Sequence, residues 1–341
     1  MTVEGLSADL EPWGELARRR EWTALLVGNG ASCAVWKRFG YGTLFGEARR
    51  LAEGGLSRED EAIFELLETR NFEEVLGALR LVASVNRELG VPAEPATRRY
   101  DSIQGALASA VHAVHVPWED VEERLAEIKA ALRRYRWVFS TNYDLLAYWA
   151  ANLESADGFR DFFWERDECG HLVFNRANVE VVGQGLTRLG FLHGALHLFR
   201  LHDDATMKRE RAGWDDLLSL VRQPPGEHPD AIPLIITEGH CDEKLRSIYR
   251  SDYLAFVFES FRDLDEPLVV VGHSLGDQDR HLVDALQSRG ERPIAISIKG
   301  ERGADHVLAE KVRFRALLPE AELCFFDAST HPLGSTELTV G

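Results

Sequence analysis

The feature that most constrains this chain is a series of short apolar runs, rich in β-branched residues, that stop abruptly at polar or glycine-containing strings. Continuous runs of this kind are typical of strands buried on both faces, as in a parallel sheet covered by helices. We therefore predict an α/β protein built on a Rossmann-like parallel sheet flanked by helices. The predicted strands are residues 23–27, 137–139, 191–192, 233–236, 268–271, 294–298 and 323–326.

The spacing of these runs indicates where the chain departs from a simple alternation of strand and helix. Residues 46–135 have helical periodicity and no convincing strand, which predicts a large helical insertion after the first strand. A charged stretch at about 200–230 predicts a smaller insertion. We expect residues 1–330 to form a single domain and residues 331–341 to form a polar, frayed tail.

Composition narrows the classes of partner. The chain has 39 Lys and Arg against 56 Asp and Glu, a net charge of −17 that disfavours nucleic acid. No apolar run approaches the roughly 18 residues of a membrane span, and residues 1–21 lack the apolar core of a secretory signal. We therefore expect a cytoplasmic protein with no membrane partner. The cysteines, which are too scattered for paired zinc knuckles and are expected to be buried free thiols, are Cys33, Cys169, Cys241 and Cys324.

The first polar string, Gly-Asn-Gly-Ala-Ser at residues 28–32, follows the first predicted strand and could hold a phosphate. Two glycines spaced by one residue permit a tight turn and a close approach of a ligand to the backbone, and Ser32 could open a helix. Cys33 stands where the dinucleotide fingerprint has its third glycine, and no second strand follows closely, so an ordinary dehydrogenase is disfavoured. A plain strand-to-helix turn is the alternative.

The second string, Ser-Thr-Asn-Tyr-Asp at residues 140–144, brings an amide and a carboxylate into one loop directly after a strand. Asn142 and Asp144 could there hydrogen-bond a carboxamide, ribose hydroxyls or a water molecule. The alternative is structural, because either side chain could cap the helix that continues through Trp149.

A histidine ends the third run. His193 stands at the predicted strand terminus and precedes Gly194, a position in which an imidazole can act as a base with space beside it. One alternative is a buried histidine with a purely structural role. Another is a metal site shared with His197 at helical spacing, which is weakened because Gly194 replaces the Glu of the His-Glu-x-x-His motif.

The fourth string, Gly-His-Ser-Leu-Gly at residues 272–276, matches the Gly-x-Ser-x-Gly nucleophile elbow of α/β-hydrolases. Ser274 would be the nucleophile, and the acid and base would have to follow it in the chain. The candidates for those two roles are Asp305, Asp327, His306 and His331. The bulky polar residues at 277–279 stand where small residues normally let the elbow helix pack closely, which disfavours a hydrolase.

Taken in order, these strings resemble the blocks of the sirtuin-like (SIR2-like) NAD-binding fold, and its bacterial NAD hydrolase branch more than its protein deacylases. The matching blocks are residues 28–32 with Gly-Ala-Gly-x-Ser, 141–144 with Thr-x-Asn-x-Asp, 192–194 with the Leu-His-Gly of the catalytic histidine, and 272–275 with Gly-x-Ser-Leu. The extended sequences at residues 143–146 and 193–197 are similar to those of the bacterial subgroup DUF4917.

Two features of the deacylases are absent from this sequence. Residues 35–45 occupy the place of the Gly-Ile-Pro-Asp-Phe-Arg loop, and the zinc-ribbon cysteines have no counterpart. Since that zinc module helps frame the acyl-lysine cleft, its loss argues against peptide deacylation. Cleavage of NAD itself needs only the dinucleotide site.

The resemblance implies a SIR2-like domain that hydrolyses NAD⁺, its substrate, to nicotinamide and ADP-ribose without a metal. It implies that His193 is the base and that Asn142 orients the ribose or a water molecule. The residues that it implies in NAD binding are Gly28, Gly30, Ala31, Ser32, Thr141, Asp144, Gly272 and Ser274. It further implies an antiphage or toxin-like role, gated by a regulatory protein partner or by homo-oligomerisation. The alternative is a sensor that binds NAD or ADP-ribose without cleaving it.

Overall fold

The computed structural model describes residues 7–155, 157–177, 185–201, 205–210, 228, 231–236, 241–300 and 303–340. The strands in this part of the chain are β1 (Ala24–Val27), β2 (Trp137–Ser140), β3 (Phe159–Arg160), β4 (Phe163–Arg166), β5 (Leu172–Phe174), β6 (Thr187–Phe191), β7 (Gly194–Arg200), β8 (Thr206–Lys208), β9 (Ile232–Ile235), β10 (Leu268–Val271), β11 (Pro293–Ile298) and β12 (Glu322–Asp327). They form a seven-stranded sheet and a five-stranded sheet.

Helices cover the larger sheet. The α-helices in the described residues are α1 (Trp13–Arg19), α2 (Asn29–Val35), α3 (Tyr41–Arg50), α4 (Arg58–Leu66), α5 (Phe72–Glu88), α6 (Glu94–Val114), α7 (Trp118–Leu132), α8 (Leu146–Asn152), α9 (Cys241–Ile248), α10 (Asp252–Arg262), α11 (Arg280–Gln287) and α12 (Ala304–Leu317). None of these helices is long and apolar enough to cross a membrane.

The seven-stranded sheet is parallel, as the continuous apolar runs predict, and its order is β12-β11-β10-β1-β2-β6-β3. Every residue of β1 is buried, and Leu26 pairs with Val270 on one side and with Phe139 on the other. After β1 the chain builds the sheet towards β3, and from β10 onwards it builds the opposite half. The strand order therefore reverses between β1 and β10, the point at which open α/β sheets bind ligands.

The predicted helical insertion is confirmed, because α3 to α7 lie between β1 and β2. Within the insertion, Ser57 caps the start of α4 through a reciprocal capping box with Asp60. Aromatic side chains hold the insertion together. The ring of Phe64 lies 4.9 Å from that of Phe45 and 5.1 Å from that of Phe72, measured between centroids.

The five-stranded sheet is antiparallel, in the order β4-β5-β8-β7-β9, and the sequence interpretation missed it. The run at 233–236 was expected in the parallel sheet, but it forms β9 and pairs with β7. Gly194 makes that pairing possible, since its φ is +78° and an added Cβ would lie 1.8 Å from the Leu234 carbonyl oxygen. The polar string at residues 237–239 lies outside the described residues.

Two further expectations concern residues 200–230 and the residues from 331 onwards. Most of the insertion expected at 200–230 lies outside the described residues, although β8 falls within it and pairs with β5 and β7. The frayed tail expected from 331 onwards is wrong. Leu333 and Leu338 are buried, and the Val340 amide donates to the Val35 carbonyl, so this polar-looking segment packs against α2.

Candidate active site

The turns that follow β1 and β10 pack directly on each other where the strand order reverses. The Gly30 amide donates to the Gly272 carbonyl at 2.8 Å, and a Cβ on Gly28 would lie 2.6 Å from the same oxygen. Gly272 has a φ of +66°, a left-handed conformation that favours glycine. These glycines are therefore required by the contact between two turns.

The Gly28, Gly30 and Ala31 amides of the first turn already have acceptors. The Gly28 amide donates to the Val271 carbonyl, and the Ala31 amide donates to the Gly28 carbonyl. In this structure these three amides therefore bond to the protein's own backbone. Gly30 is nevertheless exposed, and Gly272 is partly exposed, so this edge of the sheet meets solvent.

A buried network, which we call the Ser32 network, joins Ser32, Asn142, Asp144 and the Gly28 carbonyl. The Asn142 Nδ2 group donates to the Gly28 carbonyl at 3.2 Å and to Ser32 Oγ at 2.7 Å. Ser32 Oγ in turn donates to Asp144 Oδ2 at 2.5 Å. The network therefore connects the loop after β1 with the loop after β2.

Asp144 has the structural role that was the alternative for it, because its Oδ1 accepts the Leu146 amide at 2.9 Å at the start of α8. Burial raises the pKa of its carboxyl, and hydrogen bonds from Ser32 and Leu146 offset only part of that rise. The Asn142 Oδ1 atom is buried and has no hydrogen-bond partner among the described residues. Such an atom is costly to leave unpaired and marks a place where a ligand hydroxyl or water could donate.

His193 belongs to a second buried cluster, which we call the Asp279 group: His193, Lys244, His273, Asp279 and His281. The His193 Nε2 atom lies 2.9 Å from His281 Nε2 and 3.8 Å from Asp279 Oδ1. His273 Nε2 lies 3.5 Å from Asp279 Oδ2. Lys244, which is completely buried, donates to Asp279 Oδ1 at 2.9 Å. Three imidazoles and one ammonium group thus surround a single carboxylate.

Burial determines the protonation of these groups. It lowers the pKa of His193 well below its ordinary value and the pKa of His281 to about 3, and the nearby Lys244 charge adds to both shifts. Burial alone would raise the pKa of Asp279, but attraction to His193 and Lys244 holds that pKa well below its usual range. At neutral pH the charged pair is therefore Lys244 with Asp279, and the imidazoles are neutral bases.

The His193, Asp279 and His281 ligand atoms all lie within 4.8 Å of one another, a spacing that a metal ion could use. The Lys244 ammonium already balances the one carboxylate there, and a dication beside it would be repelled. The charge distribution therefore suits proton transfer better than metal binding.

The two clusters meet at the first turn. Gly28, whose carbonyl accepts from Asn142, packs so closely on the second turn that an added Cβ would lie 2.7 Å from His273 Cβ. The loops after β2 and β6 are also adjacent, because the Leu192 amide donates to the Ser140 carbonyl. Asn142 and His193 thus extend from neighbouring strands, but their side chains bond within different clusters.

The remaining expected residues have less distinctive surroundings. Thr141 is partly buried, and its Oγ1 donates to the Val27 carbonyl at 3.3 Å. Ser274 is exposed and forms no side-chain hydrogen bond with a described imidazole. The left-handed residues around it are Gly272 and Leu275, and its carbonyl accepts from Arg313. These contacts do not form the catalytic triad of a hydrolase.

The alternative metal site of His193 with His197 is wrong, because the segment is a strand and not a helix. His197 lies in β7, where its ring stacks on Tyr148 at 4.2 Å between centroids. The cysteine expectation is wrong in part: Cys169 is exposed, while Cys33 and Cys324 are partly buried. The side chain of Cys241 lies outside the described residues.

Sequence reasoning missed most of the Asp279 group. Asp279 was weighed only as an obstacle to a nucleophile elbow, although the string Asp279-Arg280-His281 follows the β10 turn closely. Its polarity directly after a buried strand was the available signal. Lys244 has no such signal, because it reaches Asp279 only through the packing of α9 against α11.

The fold and these two buried clusters define a class: an α/β protein with a Rossmann-like sheet that gathers an amide, carboxylates and imidazoles at its carboxyl edge. Comparison with known families gives the particular group. The family model described as "Domain of unknown function (DUF4917)" matches residues 25–333, and the chain belongs to this family. No curated protein matches the chain significantly.

Proposed function

We propose that this protein is an NAD⁺ glycohydrolase that releases nicotinamide and ADP-ribose. The observation that carries the proposal is the position of the four SIR2-like strings, which follow β10, β1, β2 and β6. These strands are neighbours in the parallel sheet, so the strings emerge at one edge, on both sides of the strand-order reversal. Ligands of open α/β sheets bind at that place.

The Asn142 amide supplies the most specific support at the level of single atoms. Its Nδ2 group is held by Ser32 and the Gly28 carbonyl, and the buried Oδ1 has no hydrogen-bond partner within the described ranges. A ribose hydroxyl or the attacking water would satisfy that atom. Asp144 would then position the Asn142 amide through Ser32. The SIR2-like resemblance implies that Asp144 also contacts the nicotinamide.

The chemistry needs a base more than an acid. The nicotinamide of NAD⁺ is already cationic, so it leaves as a neutral molecule when the C1′–N bond breaks. Water forms the new C1′–O bond and, once bonded to the cationic C1′, becomes acidic enough to give up its proton to a weak base. His193 can accept that proton because burial lowers its pKa and keeps it neutral at pH 7. The Asp279 carboxylate, 3.8 Å from His193 Nε2, would stabilise the imidazolium that results.

A second candidate function, an NAD or ADP-ribose sensor, is favoured by one observation. His193 is only 3% exposed, and its Nε2 atom already contacts His281. A chain that kept this arrangement with ligand bound would have no base in contact with the ribose. It would bind the dinucleotide without cleaving it.

The deciding experiment incubates the purified chain with NAD⁺, separates the products by chromatography and measures binding by calorimetry. Release of nicotinamide and ADP-ribose that is lost in Asn142→Ala would support the glycohydrolase. The matched control is Asn86→Ala, which removes an amide from the end of α5. Binding without product would select the sensor, and neither binding nor product would refute both.

The proposal extends to the biological role that the resemblance implies, an antiphage or toxin-like effector that depletes NAD⁺. An unrestrained enzyme of this kind would harm its own cell, so we include gating by a regulatory protein or by homo-oligomerisation. Activity per chain that rises with protein concentration would favour oligomerisation. Activity that appears only with an added partner would favour the partner.

A further inference from the structure

The turn between β4 and β5 presents three potential metal ligands at alternate positions: Asp167, Cys169 and His171. The Asp167 Oδ1 atom accepts the Cys169 amide at 3.0 Å and the His171 amide at 2.8 Å. Gly170 has a φ of +87°, which closes the turn in a left-handed conformation. The backbone of this turn is therefore ordered by its own hydrogen bonds.

A fourth ligand reaches this turn from a distant part of the chain. His228 stands shortly before β9, and its Nε2 atom lies 2.9 Å from Asp167 Oδ2. The rings of His228 and His171 are 5.4 Å apart between centroids and inclined at 56°. The ligand atoms of Asp167, Cys169 and His228 all lie within 4.8 Å of one another. We call these four residues the Asp167 group.

The spacing of Asp167, Cys169 and His228 approaches that of a tetrahedral zinc site. With Zn–N and Zn–O bonds of about 2.1 Å and a Zn–S bond of about 2.3 Å, neighbouring ligand atoms lie roughly 3.4 to 3.6 Å apart. Two imidazoles on one such ion have ring centres about 5 Å apart, close to the observed separation of His171 and His228. The ligand atoms of Asp167, Cys169 and His228 lie within 4.8 Å of one another, and those of His171 lie outside this group, so metal binding would draw the first three together and turn the His171 ring towards them.

The charge balance also fits a divalent ion. A Cys169 thiolate and the Asp167 carboxylate together carry two negative charges, and two neutral imidazoles complete the set. Sulfur, nitrogen and oxygen ligands in this mixture suit zinc and its close analogues more than calcium or magnesium.

We propose that Asp167, Cys169, His171 and His228 bind one zinc-class divalent ion that joins the β4–β5 turn to the chain entering β9. Strands β4 and β9 are the two edges of the five-stranded sheet, so the ion would tie both edges together. The proposal does not rest on the NAD⁺ chemistry, and its test uses no activity measurement.

The test uses Co²⁺ as the probe on the full-length, reduced chain after its metal has been removed with a chelator. Tetrahedral Co²⁺ gives visible d–d bands, and a thiolate ligand adds a sulfur-to-cobalt charge-transfer band. We expect one Co²⁺ per chain, both kinds of band, and displacement by one equivalent of Zn²⁺. The absence of these bands at stoichiometric Co²⁺ would overturn the proposal.

Two variants assign the bands to the proposed residues. Cys169→Ser should abolish the charge-transfer band, and the exposed side chain gives no reason for the variant to misfold. His228→Gln should weaken binding at least about 10- to 100-fold, since even residues that only support a ligand have effects of that size. Circular dichroism establishes that each variant is folded.

Two matched controls exclude other sites. Cys324→Ser removes another thiol, and His281→Gln removes an imidazole from the second His and Asp cluster that could hold an ion. Both should retain the charge-transfer band and the affinity of the parent chain. A band that survives Cys169→Ser, or disappears in either control, would show that the ion binds elsewhere.

Discussion

The Asp279 group and the Asp167 group contain the same kinds of side chain in opposite surroundings. In the first, His193 and His281 are buried, and the Lys244 ammonium neutralises the carboxylate. In the second, His228 is 26% exposed, and no ion pair between Asp167 and a lysine or arginine is found in the described part of the chain. Histidine and aspartate therefore favour different chemistry according to whether a buried cation is already present.

The two groups differ in the electrostatic cost of adding positive charge. In a dry interior, a divalent ion next to Lys244 would add two positive charges beside one carboxylate and would be strongly unfavourable, whereas a proton taken up by His193 adds only one, which Asp279 stabilises at 3.8 Å. Near the surface, water reduces the cost of assembling a divalent ion with two anionic ligands.

The largest expected effect is on catalysis. We expect His193→Ala to lower the rate of nicotinamide release about 100- to 10,000-fold, because removal of a general base has effects of that size. Chromatographic assays of NAD⁺ turnover measure it. His306→Ala, which removes a half-buried imidazole from α12, should retain the parent rate. Equal rates in the folded His193→Ala chain and the parent chain would show that His193 is not the catalytic base.

The next effect is on stability and tests the charge balance of the Asp279 group. Lys244→Met leaves the Asp279 carboxylate buried without its cation and should lower the free energy of unfolding by about 3–5 kcal/mol. Urea unfolding followed by tryptophan fluorescence measures the change. The double variant Lys244→Met with Asp279→Asn should recover part of the loss. If Lys244→Met were as stable as Lys37→Met, a change at an exposed lysine, the ion pair would not matter.

The third effect is a pH dependence. Below about pH 6.5 the unfolded chain binds protons on imidazoles that stay neutral in the folded chain, so stability falls as the pH falls. With a folded pKa of about 3, His281 alone should account for about 2 kcal/mol between about pH 7.5 and about pH 5. Urea unfolding at both pH values measures it. The fall should be smaller by that amount in His281→Gln, and an equal fall in both chains would contradict the prediction.

The smallest effect belongs to the Asp167 group without metal. In the chelated protein, Cys169→Ser should change the free energy of unfolding by less than about 0.5 kcal/mol, because the side chain is exposed. Thermal unfolding of the two chains compares them. In the presence of Zn²⁺ the parent chain should gain stability that Cys169→Ser lacks. Equal stabilisation of both by Zn²⁺ would mean that the thiol is not a ligand.

Much of the parallel sheet could be predicted because its strands are uninterrupted apolar runs. Strand β1 and its neighbour β10 are runs of this kind. The helical insertion could be predicted as well, because its helical periodicity continues over a long stretch without a strand. The five-stranded sheet could not be predicted in the same way. Its strand β8 has only three residues, and such short segments have no periodicity of their own.

Some residues of the candidate site could likewise be predicted from the sequence, and others could not. Asn142 and His193 could be found because each follows an apolar strand directly, where side chains gather at the sheet edge. Lys244 and His228 could not, because one lies within an amphipathic helix and the other in a segment far from its partners.

The amino-acid sequence by itself determined the parallel sheet, the order in which its loops occur and the residues that these loops carry, since burial of apolar runs depends on local composition. Only the tertiary structure decided which of those residues are charged and which share a cluster. Asp279 meets Lys244, and Asp167 meets His228, across dozens of residues of intervening chain. Such encounters depend on how helices and sheets pack, and packing determines the dielectric surroundings on which each pKa depends.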